Sequence, residues 1–286
     1  MHVAHRDLIL KARAIANAGG LPLGIFTFPA EDGIKKNVGR LYSTEEKLGI
    51  FAELGADFTV LADFSSVAAL SPEAFVLEVL SGALGATECV AGFNFRFGRG
   101  ASGDAAMLSE LMESIGARAT ICDELTSDGR TVSTSAIREY ITAGDMPSAT
   151  GLLGAPYMLS GRVLHGNKEG RRLGYPTVNT PIGDGKIVPR LGVYMSAVRL
   201  DSGIYPALTN IGKCPTFAER EVHAETYILG YTGDLYGEKI AVYLLDFLRE
   251  ERRFSSPEEL VMQINIDKNR VIEEIGDKTW QELGLN

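Results

Sequence analysis

Cysteine is scarce: Cys89, Cys122 and Cys214 stand far apart in 286 residues, and no C-x-x-C pair occurs. An odd number at such spacings excludes a disulfide framework and a cysteine-based zinc site, and suits a reducing cytoplasm. Long apolar runs are missing, so no stretch reaches the length of a membrane span. A signal-peptide pattern is missing too, because His2, His5, Arg6 and Asp7 interrupt the start. Basic charge is in deficit, with 28 Lys and Arg against 37 Asp and Glu and a net charge of −9. That argues against a general nucleic-acid binder, which carries a basic face, but leaves room for a small phosphate site. No G-x-x-x-x-G-K-[ST] string occurs, so any phosphoryl chemistry is not of the P-loop kind. What is present is an ordinary globular composition, 45% hydrophobic and 23% charged, long enough for two domains.

The first half alternates between helix and strand. Residues 6–18 read as a helix closed by Gly19-Gly20. Strands are predicted at 23–28, 58–61, 89–92 and 119–122, with residues 29–42 as a loop. Helices start at the Ser43/Glu46 capping box, at Ser71-Pro72 and at Asp104. This order predicts a parallel sheet with helices on both faces, and ligands bound beyond the carboxyl ends of the strands. Three features fall at such places. His2 and His5 flank a helix start, where anionic phosphate is favoured. Asn94, directly after a strand, offers both a donor and an acceptor to a base or flavin edge. Ser133-Thr134-Ser135 opens a helix with Arg138 one turn behind, as plain caps or as a phosphate cradle.

Gly154-Ala155-Pro156 marks a boundary, giving domains at 1–155 and 156–286. Beyond it the period changes to two. Strands at 157–165, 192–200, 205–211, 223–230 and 239–247 suggest an antiparallel barrel. Ser256-Pro257-Glu258-Glu259 then opens a helix carrying Leu260, Val261 and Ile264.

The densest stretch is His165-Gly166-Asn167-Lys168-Glu169-Gly170-Arg171-Arg172-Leu173-Gly174-Tyr175-Pro176-Thr177-Val178-Asn179. Its first half mixes glycines, which allow close backbone approach, with cations that meet phosphate oxygens. In its second half Thr177 and Asn179 are two apart, so an extended chain turns both to one side. Two oxygens so placed suit Mg2+, which takes oxygen ligands and keeps substrate phosphates among them.

The string resembles the riboflavin kinase segment H-G-x-G-x-G-R-x-L-G-[FY]-P-T-A-N, with Lys168 at the middle glycine and Val178 at the alanine. Gly192-Val193-Tyr194, Asn210-Ile211-Gly212, Pro215-Thr216-Phe217, Glu225 and Gly233-Asp234-Leu235-Tyr236-Gly237 follow in the family's order. The resemblance implies a six-stranded antiparallel β-barrel closed by a terminal helix. It implies Glu225 as the catalytic base, Gly166, Gly170, Arg171, Thr177 and Asn179 as ATP-binding residues, and Thr177 and Asn179 as magnesium ligands. His223 and Trp280 read as structural residues.

Residues 2–155 resemble the adenylyltransferase domain of bacterial bifunctional riboflavin kinase/FAD synthetases, written G-x-F-D-G-x-H-x-G-H, G-x-[ND]-F-x-F-G and [IV]-S-S-T-x-[IV]-R. This implies a Rossmann-like nucleotidyltransferase domain with His2, His5, Asn94, Thr134, Ser135 and Arg138 at the nucleotide. Met1 stands where the family's glycine turn ends, Ala4 replaces a glycine, and the strand before the turn is missing. The resemblance thus predicts two-step flavin cofactor synthesis in the cytoplasm from riboflavin, FMN and ATP with Mg2+, and without nucleic-acid or membrane partners. FAD synthesis is expected to be the weaker activity. One rival is a riboflavin kinase with an inactive N-terminal scaffold. Another is a non-catalytic flavin or nucleotide carrier, although flavin binding alone would need neither the base nor the metal ligands.

Overall fold

The computed structural model describes residues 1–30, 39–127, 130–165, 169–183, 185–213, 222–275 and 278–285. The chain divides into two compact units. One comprises Met1–Asn37 and Tyr42–Val132, the other Val38–Leu41 and Ser133–Asn286. No described helix is long and apolar enough to cross a membrane.

In the first unit α1 (Val3–Gly19) precedes β1 (Gly24–Thr27), α2 (Thr44–Glu53) and β2 (Phe58–Leu61). Gly20 ends α1 at φ +63°, a left-handed conformation that glycine adopts without a Cβ penalty. The Ser43/Glu46 capping box is formed in both directions, at 3.1 and 2.8 Å. It satisfies two donors that a bare helix start would leave unpaired. Beyond them lie a π-helical stretch Phe75–Ala83, β3 (Glu88–Gly92), α3 (Ala105–Ser114) and β4 (Arg118–Cys122). The π-helix was not foreseen from the sequence. It buries Phe75, Val76 and Leu80 against Ala91, Phe97, Leu108 and Met112. β1 pairs with β2 and β3 with β4, both in parallel, and no ladder joins the two pairs among the described residues. The parallel sheet read from the sequence is therefore present as two separate ladders.

The second unit opens with α4 (Thr134–Ala143) and α5 (Met146–Leu153), separated at Gly144, φ +85°. Six strands follow: β5 (Tyr157–Arg162), β6 (Thr177–Pro181), β7 (Gly192–Leu200), β8 (Gly203–Lys213), β9 (Val222–Ile228) and β10 (Lys239–Arg249). They form one antiparallel sheet in the order β6-β9-β8-β7-β10-β5. A bridge between Leu164 and Asn179 links its two edges, and the Leu164 N–H donates to the Asn179 carbonyl at 2.8 Å. A closed sheet leaves no long row of unpaired backbone groups.

Side chains alternate between the two faces of this sheet. One face is the interior, where Ser196, Thr209 and Thr226 are fully buried. Their hydroxyls link at 2.8 and 2.9 Å, which satisfies polar groups that burial would otherwise penalise. The other face is covered by α6 (Pro257–Ile275), whose Val271 and Ile275 pack on Val193, Met195 and Leu208. Trp280 packs against the same cluster, as a structural residue. The Arg249 Nε–Asp267 Oδ2 pair, 2.9 Å, ties α6 to the end of β10, and Gln263 donates to the second Asp267 oxygen at 2.8 Å. Arg40 also belongs to this unit: its N–H donates to the Gly185 carbonyl at 2.7 Å, and its carbonyl accepts from Ile187 at 2.9 Å.

Candidate functional site

The face of the sheet toward α6 carries a row of polar side chains. Asn179, Glu225 and Asn210 are direct register partners across β6, β9 and β8. Residues opposed in this way point to the same side, so the three form a continuous line. Thr177 joins them diagonally, and its hydroxyl donates to Glu225 Oε1 at 2.7 Å. Glu225 and Thr177 are half-buried, while Asn179 is 6% exposed. His223, two residues before Glu225, is buried on the same side and is paired in register with Pro181 and Gly212.

Thr177 is held by the turn before it. Glu169–Arg172 makes a short helical turn, and Gly174 takes φ +86°. The Tyr175 N–H donates to the Gly170 carbonyl at 2.8 Å. A Cβ at Gly170 would collide with the Tyr175 carbonyl and stand 3.3 Å from Thr177 Oγ1. Gly170 therefore lets the turn close beneath Thr177. The Tyr175 hydroxyl donates to Asn265 Oδ1 of α6 at 2.9 Å, which fixes the strand start to the helix. Arg171 and Arg172 are exposed at the end of the turn. Gly166, like Asn167, Lys168, Cys214 and Pro215-Thr216-Phe217, lies outside the described residues. His165 and Tyr236, from motifs far apart in sequence, face each other with ring centroids 3.9 Å apart.

These donors can hold a hard cation. A threonine that gives its proton to a carboxylate turns its oxygen lone pairs outward, and the Asn179 carboxamide adds another oxygen from the same strand face. No group of three His, Cys, Asp or Glu able to hold a metal occurs among the described residues. Mg2+ takes oxygen ligands and keeps phosphate and water in its shell.

The N-terminal candidates fall into both units. His2 caps α1 without a side-chain hydrogen bond, and its ring lies 3.9 Å from that of His5. Burial pushes the His2 imidazole down to about 4, so it is neutral at pH 7, and its Nδ1 is buried with no partner among the described residues. His5 is shifted downward as well, by desolvation and then by His2, although much of its surface remains open. Asn94 is exposed in the turn after β3; a Cβ at Gly92 would lie 3.6 Å from Asn94 Oδ1 and 4.0 Å from Leu8 of α1. The α1 face one turn beyond His5 therefore approaches the carboxyl end of β3. In the second unit Ser133 is the N-cap of α4, accepting from Ala136 N–H at 3.2 Å. Thr134 and Ser135 occupy the first turn, and Arg138 Nε donates to the Gly39 carbonyl at 3.0 Å.

Sequence reasoning missed Asn210 and Glu251, which meet at 2.8 Å beside Glu225. The Asn210-Ile211-Gly212 string was visible, but no spacing within it revealed a register opposite Glu225. It also missed the Asp267 and Asn265 anchors, which look like ordinary polar positions on a helix.

Comparison with known proteins agrees with both halves. The riboflavin kinase family profile matches residues 153–275 and the FAD synthetase profile residues 1–136. A bifunctional riboflavin kinase/FMN adenylyltransferase of Listeria monocytogenes is 32% identical, over 94% of this chain and 87% of its own. Proteins of that name from Bacillus subtilis and Escherichia coli K12 are also 32% identical, covering 95% and 94% of this chain and 88% and 87% of theirs. Among solved structures, a macrolide-efflux protein from Streptococcus pneumoniae superposes with a TM-score of 0.81 at 30% identity, over 94% of this chain and 90% of that one.

Proposed function

The chain belongs to the bifunctional riboflavin kinase/FMN adenylyltransferase family, and we propose how its residues divide the work. It uses ATP to phosphorylate riboflavin to FMN, and then adenylylates FMN to FAD. The kinase step falls to residues 156–286 and the adenylyl transfer to residues 1–155.

The hydrogen bond from Thr177 to Glu225 carries the kinase assignment. It engages one carboxylate oxygen and leaves the other for a substrate hydroxyl. Glu225 removes the proton from the terminal hydroxyl of the riboflavin side chain as that oxygen attacks the γ-phosphorus of ATP. The new P–O bond forms while the bond to ADP breaks, and the proton stays on Glu225. Such a transfer needs positioning and charge neutralisation more than covalent chemistry. Gly170, and Gly166 with it, keep the loop close to the phosphates, and Arg171 supplies positive charge there. Thr177 and Asn179 would hold Mg2+, which would supply charge neutralisation at the phosphates.

For the second step, FMN phosphate attacks the α-phosphorus of ATP and pyrophosphate leaves, with no covalent enzyme intermediate. His2 and His5 are assigned to the ATP phosphates, Asn94 to the ring edge of a substrate, and Thr134, Ser135 and Arg138 to the nucleotide. The free thiols of Cys89 and Cys122 support a cytoplasmic setting. Incubation with riboflavin and Mg-ATP, followed by separation of the flavins, tests the whole scheme. Sequential appearance of FMN and FAD is expected. FMN alone leaves a kinase with an inactive scaffold, and neither product removes the reading.

A further inference from the structure

Glu225 has a carboxamide on each side in the sheet, and only Asn179 has a part in the scheme above. Asn210 is the direct register partner on the other side, where opposed Cβ atoms lie about 4.5–5.5 Å apart. Its Nδ2 donates to Glu251 Oε1 at 2.8 Å, just beyond the end of β10. Its Oδ1 is buried and accepts nothing from the described residues. Gly212, two residues along the same face, makes the contact with Glu251 possible. A Cβ there would overlap Glu251 Oε1 and lie 3.2 Å from Asn210 Nδ2. The glycine thus admits a carboxylate that takes the amide nitrogen and leaves the amide oxygen as the buried, unspent group. Buried oxygens in sheets nearly always accept a hydrogen bond, so one left open beside a catalytic carboxylate points to a donor on the substrate.

We propose that Asn210 is a specificity-determining residue of the kinase site: its Oδ1 accepts from a second hydroxyl of the polyol chain whose terminal hydroxyl Glu225 receives, and Glu251 is the positioning residue that keeps the amide in that orientation. This rests on the reading of Glu225 as the base. A site that hydrogen-bonds a substrate hydroxyl rejects the analogue lacking it, because its own polar group is then left unpaired. Purely apolar pockets discriminate by only roughly 10–200-fold between neighbours in size.

The test compares kcat/KM for riboflavin with that for analogues each lacking one internal side-chain hydroxyl, in wild type, Asn210→Ala and Glu251→Ala. Wild type is expected to disfavour one analogue by about 10³-fold or more, beyond the range of an apolar pocket. Asn210→Ala should bring that one ratio close to 1, through loss on riboflavin rather than on the analogue. Glu251→Ala, at an exposed side chain, should lower the same ratio about tenfold, and it serves if the Asn210 variant does not fold. Ratios unchanged in both variants, or equal losses on every flavin, overturn the assignment of Asn210. The control is Glu225→Gln. If wild type phosphorylates no flavin, or Glu225→Gln turns over normally, the parent reading falls and this inference with it.

Discussion

Thr177 and Glu225, 48 residues apart, meet through a 2.7 Å hydrogen bond across β6 and β9. The threonine is the donor, so the carboxylate is held from one side and keeps its second oxygen for a proton. Glu225→Gln preserves the shape and removes the proposed base. FMN formation is expected to fall by roughly 10²–10⁴-fold, with riboflavin affinity little changed. Initial rates with flavin separation, beside equilibrium flavin binding, provide the check. Normal turnover in this variant would remove Glu225 from the mechanism.

Thr177→Ala and Asn179→Ala are expected to raise KM for Mg-ATP more than Kd for riboflavin. Thr177→Ser keeps the hydroxyl and should stay closer to wild type. Excess EDTA should abolish FMN formation, and activity surviving EDTA would remove the metal from the scheme.

Much of this site was legible because its residues are neighbours in sequence. Thr177 and Asn179 lie two apart in a predicted strand, and the strand turns them to one side as expected. The Ser43/Glu46 capping box and the helix starts at Asp104 and Ser256 were equally plain, since each cap is settled within four residues. What was not legible depends on register. Asn210 stands opposite Glu225 only because β8 and β9 pair as they do, and Glu251 reaches it from beyond β10. The contact of Arg138 with the Gly39 carbonyl was not legible either, because it joins residues 99 apart in the chain.

Two fragments test the proposed boundary near residue 155. One starting at Gly154 is expected to fold and to phosphorylate riboflavin, because the barrel has its own core. One starting at Ser133 adds α4 and α5, whose Met146, Ala149 and Leu153 are fully buried and whose second helix packs on β5 and β10. It should melt roughly 2–8 °C higher, as about 1–2 kcal/mol would give in a domain of this size. A shorter fragment without activity, beside an active longer one, would move the boundary to the earlier position.

Cys89 should resist alkylation. Burial, and then the charge of Glu88, push its thiol up to about 11. Only the thiolate reacts, so at pH 8 iodoacetamide should label Cys89 about 100-fold more slowly than a free cysteine. Raising the pH toward 11 in the folded protein, or unfolding it at pH 8, should restore labelling. Mass spectrometry of the Cys89 peptide over time gives the rate, and rapid labelling at pH 8 would show the thiol to be open.

The strand contact at Arg40 sets a timetable for synthesis. Arg138, which donates to the Gly39 carbonyl, follows it by 99 residues, and Gly185 and Ile187 come later still. At about 5–20 residues per second, a ribosome takes roughly 5–20 s to deliver Arg138 after Gly39. For that interval the backbone of Gly39 and Arg40 has nothing of the second unit to pair with. One joint of that unit therefore closes with chain made much earlier, and it waits on the ribosome for its partners.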